Sequence, residues 1–188
     1  MVHASSYRNM ERFVDKYLRG HYANADTPVV LDVGSQDLNG SYRALFEDLE
    51  HVNWDYIGLD VCSGKNVDVV VDNIYHWAKI KSGSCDVVIS GQTLEHVEFF
   101  WLTMEEVARV LKEGGLCCII VPSAGPRHAY EGGKDCWRFL PDGLVAVAKY
   151  AKLEVMESSI GWESIKSYED DQWKDSILVC RKPVAGVV

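Results

Sequence analysis

The chain has 188 residues, enough for one domain with a substantial core and too few for two large ones. Apolar residues make up 47% and charged residues 25%, the balance of a soluble globular protein. The formal net charge is −9, the pI is near 5.1 and no basic run occurs, which argues against nucleic acid as a partner.

The opening MVHASSYRNMERF lacks an apolar stretch of signal-peptide length, and no apolar run approaches a membrane span, so a cytoplasmic protein without membrane contact is expected. Met10, Phe13, Val14, Tyr17 and Leu18 recur at helical spacing and predict an amphipathic helix from Tyr7 to Leu18, stopped by Gly20. Next comes VLDVGSQDLNG, Val30 to Gly40, an apolar run that ends in an acid and turns at a glycine. Gly34 is placed at the turn, where backbone can approach a ligand, and Gly40 at the opening of a helix from Ser41 to Leu49. Strands follow at Tyr56 to Leu59, Val67 to Val71 and Val87 to Ser90, then a helix from Met104 to Lys112. Leu116 to Val121 reads as a strand buried on both faces near the sheet centre. A loop over 123–141, a helix from Asp142 to Ala151, and strands Leu153 to Met156 and Ser176 to Cys180 complete the pattern.

Strands alternating with helices imply parallel pairing with helices on both faces. Six cysteines (Cys62, Cys85, Cys117, Cys118, Cys136 and Cys180) form no C-x-x-C pair and read as reduced thiols, four of them in or beside apolar runs. No compact set of acids and histidines has ligand spacing, so no metal is expected.

Asp60 ends the second strand, where Rossmann-like sheets hold ribose hydroxyls by charge-assisted hydrogen bonds; a capping role is its alternative. Together with Asp32, Gly34, the segment GQTLEHV and the segment LKEGG, it resembles the class I S-adenosylmethionine-dependent methyltransferases, and within them the small type 11 domains. The resemblance runs from about Val29 to about Arg181. Gln36 and Leu38 stand where the family's later glycines fall, and Asn39 and Gly40 restore a turn two residues on.

The resemblance implies a single domain over 1–188 with a Rossmann-like three-layer αβα sandwich, its seven-stranded sheet mostly parallel with the last strand antiparallel. It places a helix within 1–22 over the cofactor site and makes 123–141 the acceptor-side loop. It implies S-adenosyl-L-methionine as cofactor, with Asp32, Gly34, Ser35 and Gln36 towards the methionine end and Asp60 and Val61 at the ribose. Asp72, Asn73 and Ile74 fall at the adenine, and Ser90, Gly91 and Gln92 line the fourth strand's end. It points Glu95 and His96 towards the reaction centre, with helix capping and core packing as their alternative. The LKEGG glycines are read as a helix C-terminal cap.

The loop segment PSAGPRHAYEGGKDCWRFLPDGL concentrates His128, Tyr130, Asp135, Trp137 and Arg138 beyond the carboxyl end of a central strand, where open α/β sheets bind ligands. Packing of Trp137 onto the sheet and pairing of Arg138 with Asp135 or Asp142 remain open beside acceptor binding. A hydroxyl acceptor needs a base near neutrality, for which His128 is first and His96 second. The expected activity is methyl transfer to a small-molecule acceptor, an oxygen on a sugar or natural product, by a monomer or homodimer. Trp162, Tyr168 and Trp173 suit either an acceptor pocket or a dimer contact. Two other readings stay open: a catalytically silent partner domain, and an NAD(P)-dependent oxidoreductase, which the missing G-x-G-x-x-G weakens.

Overall fold

The computed structural model describes residues 2–23, 25–47, 49, 52–128, 133–161 and 173–186. Seven strands form one sheet: β1 Val29–Val33, β2 Asp55–Asp60, β3 Val69–Val70, β4 Cys85–Gly91, β5 Leu111–Pro122, β6 Glu154–Ile160 and β7 Asp175–Arg181. Their order is β3-β2-β1-β4-β5-β7-β6. The first five pair in parallel, and β7 enters antiparallel between β5 and β6. The sheet is therefore Rossmann-like, mixed, and reversed only in its last strand.

Among the described residues, four α-helices cover the two faces: α1 Ala4–Phe13, α2 Arg43–Glu47, α3 Phe100–Val110 and α4 Pro141–Tyr150. One apolar layer joins Leu31, Val33 and Val88 of the sheet to Met104 and Val107 of α3 and to Leu144 and Ala148 of α4. The other joins Val30, Val87, Ile89 and Ile120 to Met10 and Phe13 of α1 and Phe46 of α2. Adjacent residues of β1 thus serve opposite layers, as the period-two alternation of a doubly covered strand requires. The described cysteines carry free thiols, and Cys85, Cys117, Cys118 and Cys180 are buried.

Several boundaries differ from the sequence reading. The first helix begins at Ala4, where the His3 ring caps the Ser6 amide, and widens into a π-helical turn over Val14–Leu18 that keeps both of those residues buried. The helix expected over Ser41 to Leu49 shortens to α2, and Gly40 lies ahead of it with φ 148°. The third strand shrinks to two residues because only Val69 and Val70 find partners, Leu59 and Asp60. The LKEGG glycines are not a helix cap: α3 ends at Val110, and Leu111 turns extended to pair with Cys85. Gly114, at φ 78°, then donates to the Lys182 carbonyl at 2.9 Å within an irregular start to β5. Burying Leu111 completely in the core outweighs one more residue of helix.

A buried polar cluster fastens α1 to the carboxyl edge of the sheet. Asp175, at the start of β7, accepts from Ser5 Oγ at 2.9 Å and from Gln92 Nε2 at 3.0 Å, while Ser6 shares a hydrogen with the Tyr42 hydroxyl at 2.6 Å. Asp32 is a second buried acid, 3% exposed, which accepts from the Tyr56 hydroxyl at 2.6 Å. Burial pushes its carboxyl up to about 7, against the pull of that hydrogen bond.

Phe13→Ala should cost about 3–5 kcal/mol in urea unfolding, whereas Glu11→Ala on the exposed face should stay within about 0.5 kcal/mol. Asp32 sets a pH dependence. Between its ordinary pKa and its raised one, the unfolded chain has released a proton that the folded chain keeps, so its contribution to stability falls as pH rises through that window. Urea midpoints from about pH 5 to about pH 7.5 should therefore decline less in Asp32→Asn than in the wild type, by about 2 kcal/mol. Parallel curves would show that Asp32 does not retain its proton.

Candidate active site

Beyond β1 the chain turns at Gly34, whose φ of 80° favours glycine and whose absent side chain leaves room for Thr93: a Cβ there would lie 2.1 Å from the Thr93 hydroxyl. The amides of Gly34 and Ser35 both donate to the Leu59 carbonyl, which draws the turn onto the end of β2. There Asp60 accepts the Gln36 amide on one oxygen at 3.0 Å and the Cys62 amide on the other at 3.1 Å. A carboxylate offers about four acceptor positions, so two remain for a ligand diol. Asp32 stands behind this turn, and Ser35 is buried with a hydroxyl that has no hydrogen-bond partner.

At the end of β4, Ser90 donates to the Val33 carbonyl at 2.8 Å, and Gly91 leaves space for Tyr42, whose hydroxyl oxygen would lie 2.0 Å from a Cβ. Gln92 follows at φ 56°, an uncommon conformation for a residue with a side chain, held by its amide bond to Ile120 and its side-chain bond to Asp175. A 3₁₀ turn over Leu94–His96 then carries Glu95 and His96. The Glu95 side chain is fully buried, neither of its oxygens has a hydrogen-bond partner, and burial pushes its carboxyl up to about 8. His96 Nδ1 donates to the Lys134 carbonyl at 2.5 Å, and Nε2 lies 3.7 Å from Glu95 Oε1.

The loop after β5 docks on that turn through the backbone: the amides of Cys136 and Trp137 both donate to the Glu95 carbonyl. Asp135 and Arg138 form a two-pronged ion pair at 2.6 and 3.0 Å, and Asp135 also accepts the His128 amide at 2.7 Å. The guanidinium holds the Asp135 carboxyl down at about 2. His128 is thereby fixed edge-on to His96, with ring centres 4.9 Å apart, and edge-on to Trp173 at 4.7 Å. Burial lowers the pKa of both histidines, which favours neutral rings near neutrality.

A cavity of about 280 Å³ opens between these segments, near the lower end of the range for small-molecule sites, about 300–1,000 Å³. Of the residues singled out from sequence, Gly34, Gln36, Asp60, Val61, Ile74, Gln92, His96 and His128 line it. Ser90, Gly91 and Glu95 stand behind its wall, Asp72 and Asn73 are exposed just before Ile74, and no described residue of α1 lines it. The first helix instead reaches the cavity through Gln92, and Asp135 and Arg138 act on it by positioning His128. Trp137 donates to the Val97 carbonyl and packs edge-on against Phe100. Tyr130, Trp162 and Tyr168 lie outside the described residues. Sequence reading missed Leu38, Cys62, Tyr75, Thr93, Val97 and Glu98 as lining residues. Each neighbours a residue that was singled out, so the strand-end rule marked the right places but too few side chains.

The donor set suits a nucleoside-bearing cofactor: a carboxylate with spare acceptor positions at the end of β2, apolar Val61 and Ile74 beside it, and polar groups at the end of β4. Residues 31–119 match the model of a methyltransferase domain family. A search of curated protein sequences found no match. Among solved structures, the chain is similar to the 1,6-didemethyltoxoflavin-N1-methyltransferase of Burkholderia thailandensis with bound 1,6-didemethyltoxoflavin and S-adenosylhomocysteine. The TM-score is 0.68 at 15% identity, over 95% of this chain and 79% of that one. It is equally similar, at 0.68 and 15%, to the [4+2]-cyclase SpnF, over 95% and 82% of the two chains. Phosphoethanolamine N-methyltransferase 2 of Haemonchus contortus, in complex with S-adenosyl-L-methionine, matches at 0.61 and 14% identity, over 94% of this chain and 53% of that one. At such identities the structural likeness shows the fold, while the matched segment runs from β1 into β5 and takes in the ends of β1 to β4 but neither the end of β5 nor His128. Residues 31–119 thus resemble a methyltransferase domain, and the chain as a whole shares the fold of these structures.

Proposed function

We propose that the chain transfers a methyl group from S-adenosylmethionine to an oxygen of a small-molecule acceptor, a sugar or a natural product. The observation that carries this reading is one cavity with two unlike ends: Asp60, Val61 and Ile74 at one, His96 and His128 at the other. When bound, the cofactor supplies an electrophilic methyl carbon. The residues of the chain hold the reactants and move a proton. Asp60 binds the ribose diol, Val61 and Ile74 flank the adenine, and Gln92 and the Gly34 turn border the methionine end. Orientation of this kind supplies about 7–11 kcal/mol of the barrier reduction for such a displacement. At the other end a neutral histidine takes the hydroxyl proton. His128 is the first candidate and His96 the second, since both rings line the cavity. The acidic surface and a cavity of this size favour a modest acceptor over a polymer.

The similarity to a [4+2]-cyclase supports a second reading, since this fold hosts chemistry other than methyl transfer. In that reading the cavity binds a ligand without methylating it.

Isothermal titration with S-adenosylmethionine and S-adenosylhomocysteine tests the first reading, which binding of neither sinks; where both bind, methylation of a hydroxyl acceptor separates it from the second. Asp60→Ala should weaken S-adenosylhomocysteine by more than about 1 kcal/mol, at least about fivefold, through loss of charge-assisted hydrogen bonds. His128→Ala should lower turnover of a hydroxyl acceptor by about 10²-fold or more while leaving cofactor affinity nearly intact; normal turnover would remove the histidine base.

A further inference from the structure

Three side chains meet at the acceptor end of the cavity. One atom each from Glu95, His96 and His128 lies within 4.8 Å of the other two, and among the described residues this is the one such convergence of three or more His, Cys, Asp or Glu side chains. A proton-accepting histidine requires none of this company. Glu95 in particular is fully buried with both carboxylate oxygens lacking a hydrogen-bond partner, a costly arrangement unless something else meets them.

Each histidine is also held from behind. His96 donates Nδ1–H to the Lys134 carbonyl and turns Nε2 towards Glu95 Oε1 at 3.7 Å. His128 Nδ1 accepts from Arg138 Nη2 at 3.3 Å, with Asp135 Oδ2 farther off at 3.7 Å, so Nε2 faces an ion only once its proton moves to Nδ1 and the guanidinium turns wholly to Asp135. A carbonyl behind an imidazole, as Lys134 stands behind His96, is the arrangement that fixes the tautomer and direction of metal-binding histidines. With bonds of about 2.1 Å, ligand atoms in a tetrahedral site stand about 3.4 Å apart, so the Glu95–His96 pair is already near that spacing and the rest requires a small side-chain rotation. Two positive groups act on the cluster, the terminal ammonium and Arg138, and Asp135 takes up the guanidinium.

We propose that Glu95, His96 and His128 bind one divalent transition-metal ion of the zinc or iron class, with its open positions facing the cavity. Two imidazoles and a carboxylate suit these ions, whereas magnesium and calcium prefer oxygen ligands alone. The proposal deepens the methyl-transfer reading and rests on it for the role of the ion. An acceptor hydroxyl bound at an open position loses its proton to water, and the O–H electron pair stays on oxygen. The histidines then act through the ion in place of serving as bases.

Cobalt(II) is the probe. Titration of the metal-stripped protein, followed by visible ligand-field absorption and calorimetry, should show one site per chain with micromolar or tighter affinity, displaced by zinc. Glu95→Gln and His128→Ala should weaken it by about 100-fold or more, and loss of the exposed His76 should leave it unchanged. No saturable binding to the wild type, or binding that survives in Glu95→Gln and in His128→Ala, would overturn the proposal. S-adenosylhomocysteine titrated into the same samples reports on the cofactor end separately. Cobalt bound without it would support the ion site and sink the methyl-transfer reading, while the reverse would sink the ion site alone.

Discussion

The site depends on one topological constraint, the reversal of strand order between β1 and β4. Chain progress runs outward from β1 to β2 and β3 on one side and from β4 to β5 on the other. Connections on the two sides leave for opposite faces, which opens a crevice above the β1 and β4 carboxyl ends. Every predicted residue that lines the cavity leaves a strand end around that crevice: Gly34 from β1, Asp60 from β2, Ile74 after β3, Gln92 from β4, and His128 beyond β5. Pairing of Asp32 with Gly58 and with Ile89 fixes the heights of the three strands and hence of the groups at their ends.

Around this crevice the backbone is held by polar bonds rather than by apolar packing alone. The Gln92 conformation persists because the Ile120 carbonyl and Asp175 hold it, and Asp175 also holds α1 through Ser5. The loop after β5 is ordered by the double acceptance at the Glu95 carbonyl and by the Asp135–Arg138 pair. Buried hydrogen-bonded networks of this kind specify one geometry because each unmade bond is expensive. They also account for side chains that carry no chemistry of their own: Asp135 and Arg138 contribute the placement of His128.

Much of the fold was legible along the chain. Apolar runs four to six residues long, interspersed with helical patterns, were enough to read an α/β sheet, because a strand covered on both faces must be apolar throughout. The turn at Gly34 and the acid at Asp60 were equally legible, since a positive φ and a half-buried strand-end carboxylate each restrict residue type locally. Boundaries were not. Leu111 could have extended α3 on propensity, and it became strand because its burial beside Cys85 is decided by residues far away in sequence. The tail of the first helix became a π turn for the same kind of reason, with Val14 and Leu18 both required by the core.

The sequence by itself determined the fold class, the end of the sheet at which the cavity opens and the strand-end carboxylate that lines it, because those follow from local residue type and strand period. Only the tertiary structure decided that Asp32 is buried against Tyr56 and that Glu95, His96 and His128 converge. Residue spacing carries no metric information across a long loop: the distance between His96 and His128 is set by the Cys136 and Trp137 amides donating to the Glu95 carbonyl and by His96 donating to the Lys134 carbonyl, which no local pattern encodes.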